Sequence, residues 1–388
     1  MRFRMLLSFM ALLPGALLAA GDLPRGQIVD NVQCLADAEQ SYALYLPSNY
    51  TPAKRWSVIV GLDAGGRGRN PVVQFQEAAE KYGYIVAGSK NSRNGPLSVS
   101  VPAANAVWAD VSKRFSVDPK RLYLTGQSGG ARVAMYLATH TDAFPVVPAG
   151  VIASSAFFSG GDEQVSSLRF PVFGTAGTDD FNHIEMKQFD RELKSAHRLA
   201  IFDGGHMWLP IPVATEAIEW MELQAMKSGI RPRDEAFIAA LLASRVKQAE
   251  ALPAGLAAWR AYGEIATDFT GLRDVQPYAA RAAQLAKDPA VDKAFAADVK
   301  IDENEARLSG TLQQLAEQLH DPERRTKSLA ELRTRTTELH AKADAAADST
   351  DRQLARRVLR GFIASERGSG DAALDALLEQ IRPASGRF

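Results

Sequence analysis

The sequence predicts an α/β fold, a doubly wound and mostly parallel sheet, followed by an all-helical C-terminal region. Three features of its 388 residues indicate this. Between about residues 41 and 228, short apolar runs alternate with segments of helical periodicity, as in a parallel sheet covered by helices. After Arg231 the strand-like runs stop, and alanine, charged residues and periodic leucines follow. A glycine-flanked serine also lies between a strand pattern and a helix pattern.

The first predicted strand alternates polar and apolar residues, so we expect one of its faces to be exposed. The other strands are near-continuous apolar runs, which are typical of strands buried on both faces. The predicted strands are 41–47, 56–63, 84–90, 121–127, 150–158, 170–177 and 197–205.

Helical periodicity predicts the connecting elements and the C-terminal region. The helices expected between and after the strands are 72–83, 103–115, 131–140, 184–196 and 213–226. Residues 232–388 are predicted to form a separate all-helical domain of about six or seven helices, with no repeat of about 34 residues.

The N-terminus has the three-part pattern of a secretory signal peptide. Arg2 and Arg4 precede an apolar stretch at 5–18, and small residues follow it. A membrane anchor is the alternative, but the stretch is shorter than the roughly 20 residues of a spanning helix. We therefore expect residues 1–20 to be removed near Ala20, leaving an exported protein, periplasmic or secreted, without stable membrane insertion. Residues 21–231 then form the predicted α/β domain.

Composition narrows the classes of partner. Lys and Arg together number 45, and so do Asp and Glu, so the chain has no net positive charge that would favour binding to nucleic acid or to an anionic membrane. Cys34 is the only cysteine, which excludes an internal disulfide. No Cys/His spacing typical of a zinc site occurs, and we expect neither a metal nor another cofactor.

Ser128 is the candidate nucleophile. It separates the predicted strand 121–127 from a helix pattern, and such a turn holds a serine in a strained backbone with its hydroxyl exposed. Residues two before and two after the serine crowd each other there, so Gly126 and Gly130 meet the need for small residues. The N–H of Gly129, at the positive end of the helix, is expected to bind an oxyanion. The alternative is a small residue in a turn.

A serine hydroxyl needs a base before it can attack a carbonyl carbon. Of the six histidines, His206 alone follows directly after the last predicted strand, and the glycines at 204–205 let the chain turn there. The acid that orients the imidazole is expected after the preceding strand, where Asp179 and Asp180 are neighbours. Position alone does not separate these two. Asp203 is a weaker candidate, expected to be solvated.

The loop after strand 56–63 is expected to supply the second oxyanion donor. Backbone N–H groups of Ala64, Gly65 and Gly66 can approach a substrate oxygen because glycine leaves room. A glycine-rich turn without a role is the alternative. The loop does not continue into the Gly-Lys-Ser/Thr of a phosphate-binding loop.

Residues 41–228 resemble the α/β-hydrolase superfamily, in particular its esterase branch with the poly(3-hydroxybutyrate) depolymerase and feruloyl-esterase-like enzymes. The segments that carry the likeness are YALYLPSNY, GLDAGGRG, VDPKRLYLTGQSGGARVA, GTDDFN and FDGGHMW. The resemblance implies ester hydrolysis through an acyl-enzyme, and Asp180 as the acid in preference to Asp179. Asp63 stands where relatives often have histidine, and the disulfides of secreted relatives are absent. The helical tail is additional.

Only about eleven residues, 159–169, connect two of the predicted strands, which is too few for an inserted helical lid. We therefore expect an open cleft that admits bulky or polymer-borne esters, unless the helical domain covers it. Trp208 beside the histidine is a candidate aromatic wall, or alternatively a packing residue. A peptidase on this scaffold and a non-catalytic binding protein, with a protein partner for the helical domain, are the other functions to test.

Overall fold

The computed structural model describes residues 23–158 and 167–382, and one eight-stranded sheet forms the centre of the described chain. The strands are β1 (Ile28–Gln33), β2 (Ser41–Tyr45), β3 (Trp56–Asp63), β4 (Tyr84–Ser89), β5 (Val117–Gln127), β6 (Gly150–Ser154), β7 (Val172–Gly177) and β8 (His197–Phe202). Their order across the sheet is β1-β2-β4-β3-β5-β6-β7-β8. β1 with β2 and β2 with β4 are antiparallel, and every later pair is parallel. The predicted mostly parallel sheet is confirmed.

Helices cover both faces of the sheet, which explains the near-continuous apolar strands. These helices are α1 (Arg69–Tyr82), α2 (Leu97–Arg114), α3 (Gly129–Thr139), α4 (His183–Glu192) and α5 (Ile211–Lys227). α1 and α5 pack on one face through residues such as Phe75 and Ile218. α2, α3 and α4 pack on the other face through residues such as Val107, Met135 and Phe189. The doubly wound arrangement is as predicted.

The start of the sheet differs from the prediction in two respects. β1 was not expected, because its sequence has mixed polarity and carries little strand signal. β2 is not half-exposed, since Tyr42 to Tyr45 are buried. The reason is that both faces of β2 are covered: Tyr42 and Leu44 pack in the core on one side of the sheet, and Ala43 and Tyr45 pack in the core on the other. The hydroxyl of Tyr42 donates to the buried Asp110, which satisfies its polar end.

The described residues of the C-terminal region form helices joined by short turns, with no strand among them. It consists of α6 (Glu235–Glu250), α7 (Leu256–Phe269), α8 (Gln276–Leu285), α9 (Pro289–Glu317), a 3-10 turn (Gln318–His320), α10 (Pro322–Ala343), α11 (Thr350–Glu366) and α12 (Ala372–Gln380). Five of these helices begin after a residue whose side chain accepts a backbone N–H of the first turn, which stabilises a helix start. The capping residues are Asp234, Asp288, Asp321, Ser349 and Asp371.

The helical region has two apolar cores. One is shared by α9 to α12 and contains residues such as Leu312, Leu332 and Phe362. The other joins α6 to α8 with Leu223 and Met226 of α5. The last helix against the sheet therefore packs in a core of each part, and exposed residues such as Gly229 and Pro232 connect it to α6.

Two sequence expectations fall outside the described residues. The signal peptide would occupy residues 1–20, and most of the short connection 159–169 that argues against a lid is also outside them. Within residues 23–158 and 167–382, no helix is long and apolar enough to cross a bilayer.

Candidate active site

Ser128 lies in the turn between β5 and α3. Its backbone has φ 56° and ψ −125°, a strained conformation for a residue with a side chain. A Cβ added to Gly126 would lie 2.2 Å from the carbonyl carbon and oxygen of Gly130, so the two flanking positions exclude larger residues. The serine N–H donates to the Ser154 carbonyl at 2.8 Å, which fixes the turn on the neighbouring strand. Ser128 remains partly exposed, as a nucleophile requires.

His206 and Asp180 meet at the carboxyl ends of β8 and β7. The imidazole Nδ1 and Asp180 Oδ1 are 2.8 Å apart. The Asp180 side chain is fully buried, whereas that of His206 is 12% exposed and so can reach a substrate. The N–H of Asn182 donates to the same carboxylate oxygen at 2.9 Å, which orients the acid independently of the histidine. This arrangement holds the imidazole with Nε2 free to act as a base.

Serine, acid and histidine thus follow β5, β7 and β8 in chain order, at one edge of a sheet whose first strands are antiparallel. The chain has the α/β-hydrolase fold. Its strained serine turn between β5 and α3 lies where the sequence pattern predicts a nucleophile. Ser128 Oγ makes no hydrogen bond with His206 or any other described residue. Such contacts are often long before substrate binds and tighten in the Michaelis complex.

Asp179, the alternative acid, does not contact the histidine. Its carboxylate faces the helical region, where Arg356 Nη1 lies 3.1 Å from Oδ2. Its N–H donates to the Gly204 carbonyl at 2.8 Å. The two adjacent aspartates therefore point in opposite directions, and the one paired with His206 is Asp180.

The oxyanion donors expected in the α/β-hydrolase loop after β3 need correction. The N–H of Gly65 donates to Asp63 Oδ1 at 2.7 Å, and that of Gly66 donates to the Asp63 carbonyl at 3.1 Å. Neither is available for a substrate. Ala64 N–H has no acceptor among the described residues, and Gly129 N–H begins α3, where the helix offers it no partner. Ala64 and Gly129 therefore remain as the candidate donors.

Asp63 organises this loop, a role that the sequence pattern did not show. Its buried carboxylate also accepts from the side chains of Arg67, Asn70 and Trp208. Burial by itself would raise the pKa of Asp63, but the hydrogen bonds from Arg67, Trp208, Gly65 and Asn70 outweigh it and hold the pKa below its ordinary value. Asp63 is therefore ionised at neutral pH and fixes the turn after β3.

Trp208 is not an aromatic wall. It is 5% exposed, packs in the core on the α1–α5 face, and donates its indole N–H to Asp63 Oδ2 at 2.7 Å. The alternative that the sequence left open, a packing tryptophan, is the correct one. The aromatic side chain that does border the histidine is Phe181, whose ring stacks on the imidazole at a centroid distance of 4.0 Å.

Two further residues at this edge were missed from the sequence. Ser155, after β6, has φ 62° and donates its hydroxyl to the Met207 carbonyl, while its own backbone carbonyl accepts from the Asn182 side chain. It therefore ties the histidine loop to the acid loop. Asn94 donates its N–H to the Ala64 carbonyl, and its carboxamide lies over the Cα of Gly129. The positive φ of Ser155, a residue other than glycine, could not be predicted from the sequence.

No family model and no curated protein matches the chain. Solved structures with a similar fold include a thermostable esterase, with 19% identity over 50% of this chain and 61% of that one, and a TM-score of 0.37. This chain thus spans less than two thirds of that esterase. Est1E from Butyrivibrio proteoclasticus has 16% identity over 50% and 97% of the two chains, TM-score 0.39. Esterase 2 from Thermogutta terrifontis has 15% identity over 52% and 92%, TM-score 0.39.

Proposed function

We propose that this protein is a serine hydrolase that cleaves carboxylic esters with Ser128 as nucleophile, His206 as base and Asp180 as acid. The observation that carries the proposal is the hydrogen bond between Asp180 and His206 at the same sheet edge as the strained Ser128. His206 Nε2 takes the serine proton as Oγ attacks the carbonyl carbon, and the imidazolium is stabilised by Asp180. The N–H groups of Gly129 and Ala64 bind the oxyanion.

Collapse of the tetrahedral intermediate breaks the ester C–O bond. The protonated His206 gives its proton to the departing alkoxide, and the acyl group stays on Ser128 Oγ. A water then attacks the acyl-enzyme with His206 again as the base, which releases the acid and restores the serine. None of these steps needs a cofactor.

Hydrolysis of a small aryl ester tests the proposal. Ser128→Ala and His206→Ala should each abolish turnover while thermal unfolding stays unchanged. Matched controls are Ser98→Ala and His140→Ala, since both residues are exposed and lie on α2 and just after α3. Full activity in either site variant, or loss of activity in both controls, would refute the assignment.

The substrate class and the location are further parts of the proposal. The connection 159–169 is too short for an inserted lid, so we expect an open cleft that favours bulky or polymer-borne esters over small ones. Hydrolysis of aryl esters, hydroxycinnamoyl sugars, hydroxyalkanoate oligomers and peptides at matched concentrations separates this proposal from the peptidase alternative, which predicts amide cleavage.

The signal-like pattern at 1–20 favours export. Sequencing the N-terminus of the mature protein tests this, and an intact Met1 would contradict it.

A further inference from the structure

The turn that carries the acid is held from two sides. On one side, the N–H of Thr178 donates to the Phe202 carbonyl at 2.9 Å and the N–H of Asp179 donates to the Gly204 carbonyl at 2.8 Å. Both acceptors belong to the segment that leads into the histidine. The two N–H groups of the turn therefore tie it to the histidine loop, while its carbonyls point away.

Those carbonyls accept hydrogen bonds from α11 of the helical region. Arg357 Nη1 donates to the Thr178 carbonyl at 2.6 Å, and Arg360 Nη1 donates to the Asp179 carbonyl at 3.1 Å. Arg356 donates to the Asp179 carboxylate from the same helix. All three arginines are at most 8% exposed. A cluster of buried guanidinium groups on one helix is costly unless its members are paired, and here Arg356 and Arg360 pair with the Asp179 carboxylate.

The arginines are themselves fixed by the helical region. Arg357 forms a buried ion pair with Glu305 of α9, and Arg356 Nε donates to the Ala343 carbonyl at the end of α10. Burial lowers the pKa of Arg360, while the charges of Asp179 and Asp180 act in the opposite direction. The Arg360 cation thus lies within the field of the acid that pairs with His206.

The geometry also connects this helix to the histidine. Asp180 follows directly after the turn, and Phe181 next to it stacks on the His206 ring. Phe181 Cβ lies 3.6 Å from where a Cβ on Gly361 of α11 would be, so the helix and the Phe181 side chain are neighbours. Asp180 Oδ2 is buried without a hydrogen-bond partner, so the acid relies on its backbone and on Oδ1 for its position. A small movement of the turn would misplace the carboxylate.

We propose that Arg357 and Arg360 of the helical region are positioning residues for the catalytic acid, so that this region is a required part of the active site. The inference rests on the proposed function and gives the additional helices a role in it. The arginines do not touch the substrate or the reacting atoms. They act by holding the Thr178–Asp179 peptide groups so that Asp180 meets His206.

Arg360→Met in the full-length protein tests this. It removes the donor to the Asp179 carbonyl while keeping an unbranched chain of similar length, so kcat should fall by up to about 100-fold, the effect of a small misplacement in an active site. KM should stay unchanged, because the acid turn does not bind the substrate. The far-downfield proton resonance of the His206 Nδ1–H bonded to Asp180 should weaken or shift. An unchanged kcat together with an unchanged resonance would overturn the proposal.

Arg360→Lys is the conservative variant. It keeps a cation and a donor of nearly the same reach, so it should fold and recover most of kcat. If Arg360→Met does not fold, Arg360→Gln, which is neutral and shorter, decides: a lower kcat together with a weakened or shifted His206 resonance supports positioning, whereas a wild-type kcat with a wild-type resonance contradicts it.

Asp302→Asn is the matched control for domain docking. Asp302 of α9 accepts from Lys187 and Arg191 of α4, so it joins the same two parts of the molecule without touching the acid turn. It should lower the unfolding temperature with little change in kcat. An equal loss of kcat in Asp302→Asn and Arg360→Met would reduce the arginine effect to docking and refute the inference. A wild-type protein without esterase activity or Ser128 labelling would instead refute the proposed function.

Discussion

His183, a buried residue near the site, should make the stability of the fold depend on pH. It begins α4, is buried, and its Nδ1 lies 3.0 Å from the Gly177 carbonyl at the end of β7. Burial, and next the charge of Arg357, lower its pKa from 6.5 to about 4. The folded protein therefore keeps this imidazole neutral at a pH where the unfolded chain would protonate it.

Stability should therefore fall as the pH drops from about 6.5 to about 4, because the unfolded state binds the proton more readily in that window. A shift of this size corresponds to about 3 kcal/mol in the free energy of unfolding. Urea unfolding of His183→Gln across this range should show a shallower decline than the wild type. The exposed His140→Gln should retain the wild-type decline. Equal slopes for His183→Gln and wild type would contradict the prediction.

Asp63 makes a second prediction at the residue scale. Asp63→Asn replaces a carboxylate oxygen by an N–H₂ group that would face other donors, such as the Trp208 indole N–H. The free energy of unfolding should fall by about 1–3 kcal/mol, the usual effect of an unsatisfied buried donor. The turn at Ala64 should also loosen, with a loss of kcat of up to about 100-fold.

Chemical denaturation and ester hydrolysis check both effects. Asp30→Asn is the control, because its ion pair with Arg69 is exposed on both sides. If Asp63→Asn matched Asp30→Asn in stability and in kcat, the carboxylate would not organise the oxyanion loop.

At the scale of elements, the strand and helix patterns were readable because burial on two faces leaves apolar runs. β3 was predicted at its observed bounds, and β4 and β7 nearly so. β1 could not be predicted, since an edge strand of mixed polarity has no such signal. The prediction that β2 is half-exposed was wrong because both of its faces pack in cores that other elements complete, and its own alternating sequence does not show this. The flanking glycines were enough to predict the turn at Ser128. Which of Asp179 and Asp180 faces the histidine depends on tertiary contacts, so the local sequence does not show it.

The turn between β5 and α3 gives the prediction at this scale. Gly126→Ala would bring a Cβ within 2.2 Å of Gly130, so it should destabilise the protein by about 1–3 kcal/mol or more and abolish activity. Gly263→Ala is the matched control. Gly263 lies inside α7 with nothing within 4 Å of an added Cβ, so that variant should gain about 1 kcal/mol through helix propensity. Thermal unfolding of both variants checks the contrast, and a stable Gly126→Ala would contradict it.

At the scale of the whole molecule, the sequence indicated where helices replace strands but not what joins the two parts. The sheet and the helical region are joined by buried polar contacts between residues far apart in the chain. Such contacts produce no local sequence pattern that could predict them. Asp268 of α7 accepts from the Trp220 indole N–H of α5 and pairs with Arg198 of β8. Such contacts make the helical region part of the same folded body as the sheet.

Deletion of residues 232–388 should therefore not leave a stable hydrolase. It would expose Leu223 and Met226 of α5 and remove Asp268, which accepts from the Trp220 indole and pairs with Arg198. We expect the fragment 21–231 to aggregate or to unfold at a lower temperature, with little ester hydrolysis. Sedimentation velocity and thermal unfolding measure this. A soluble, monomeric fragment with full kcat would show that the helices contribute nothing to the site or to the fold.

The central claim is that His206 activates the Ser128 hydroxyl for attack on an ester carbonyl carbon. The most direct measurement is mass spectrometry of the full-length protein after treatment with a fluorophosphonate. The account predicts one covalent adduct, located on the peptide that contains Ser128, which is lost in His206→Ala and retained in His140→Ala. Absence of an adduct on Ser128, or an adduct that forms equally well without His206, would contradict it.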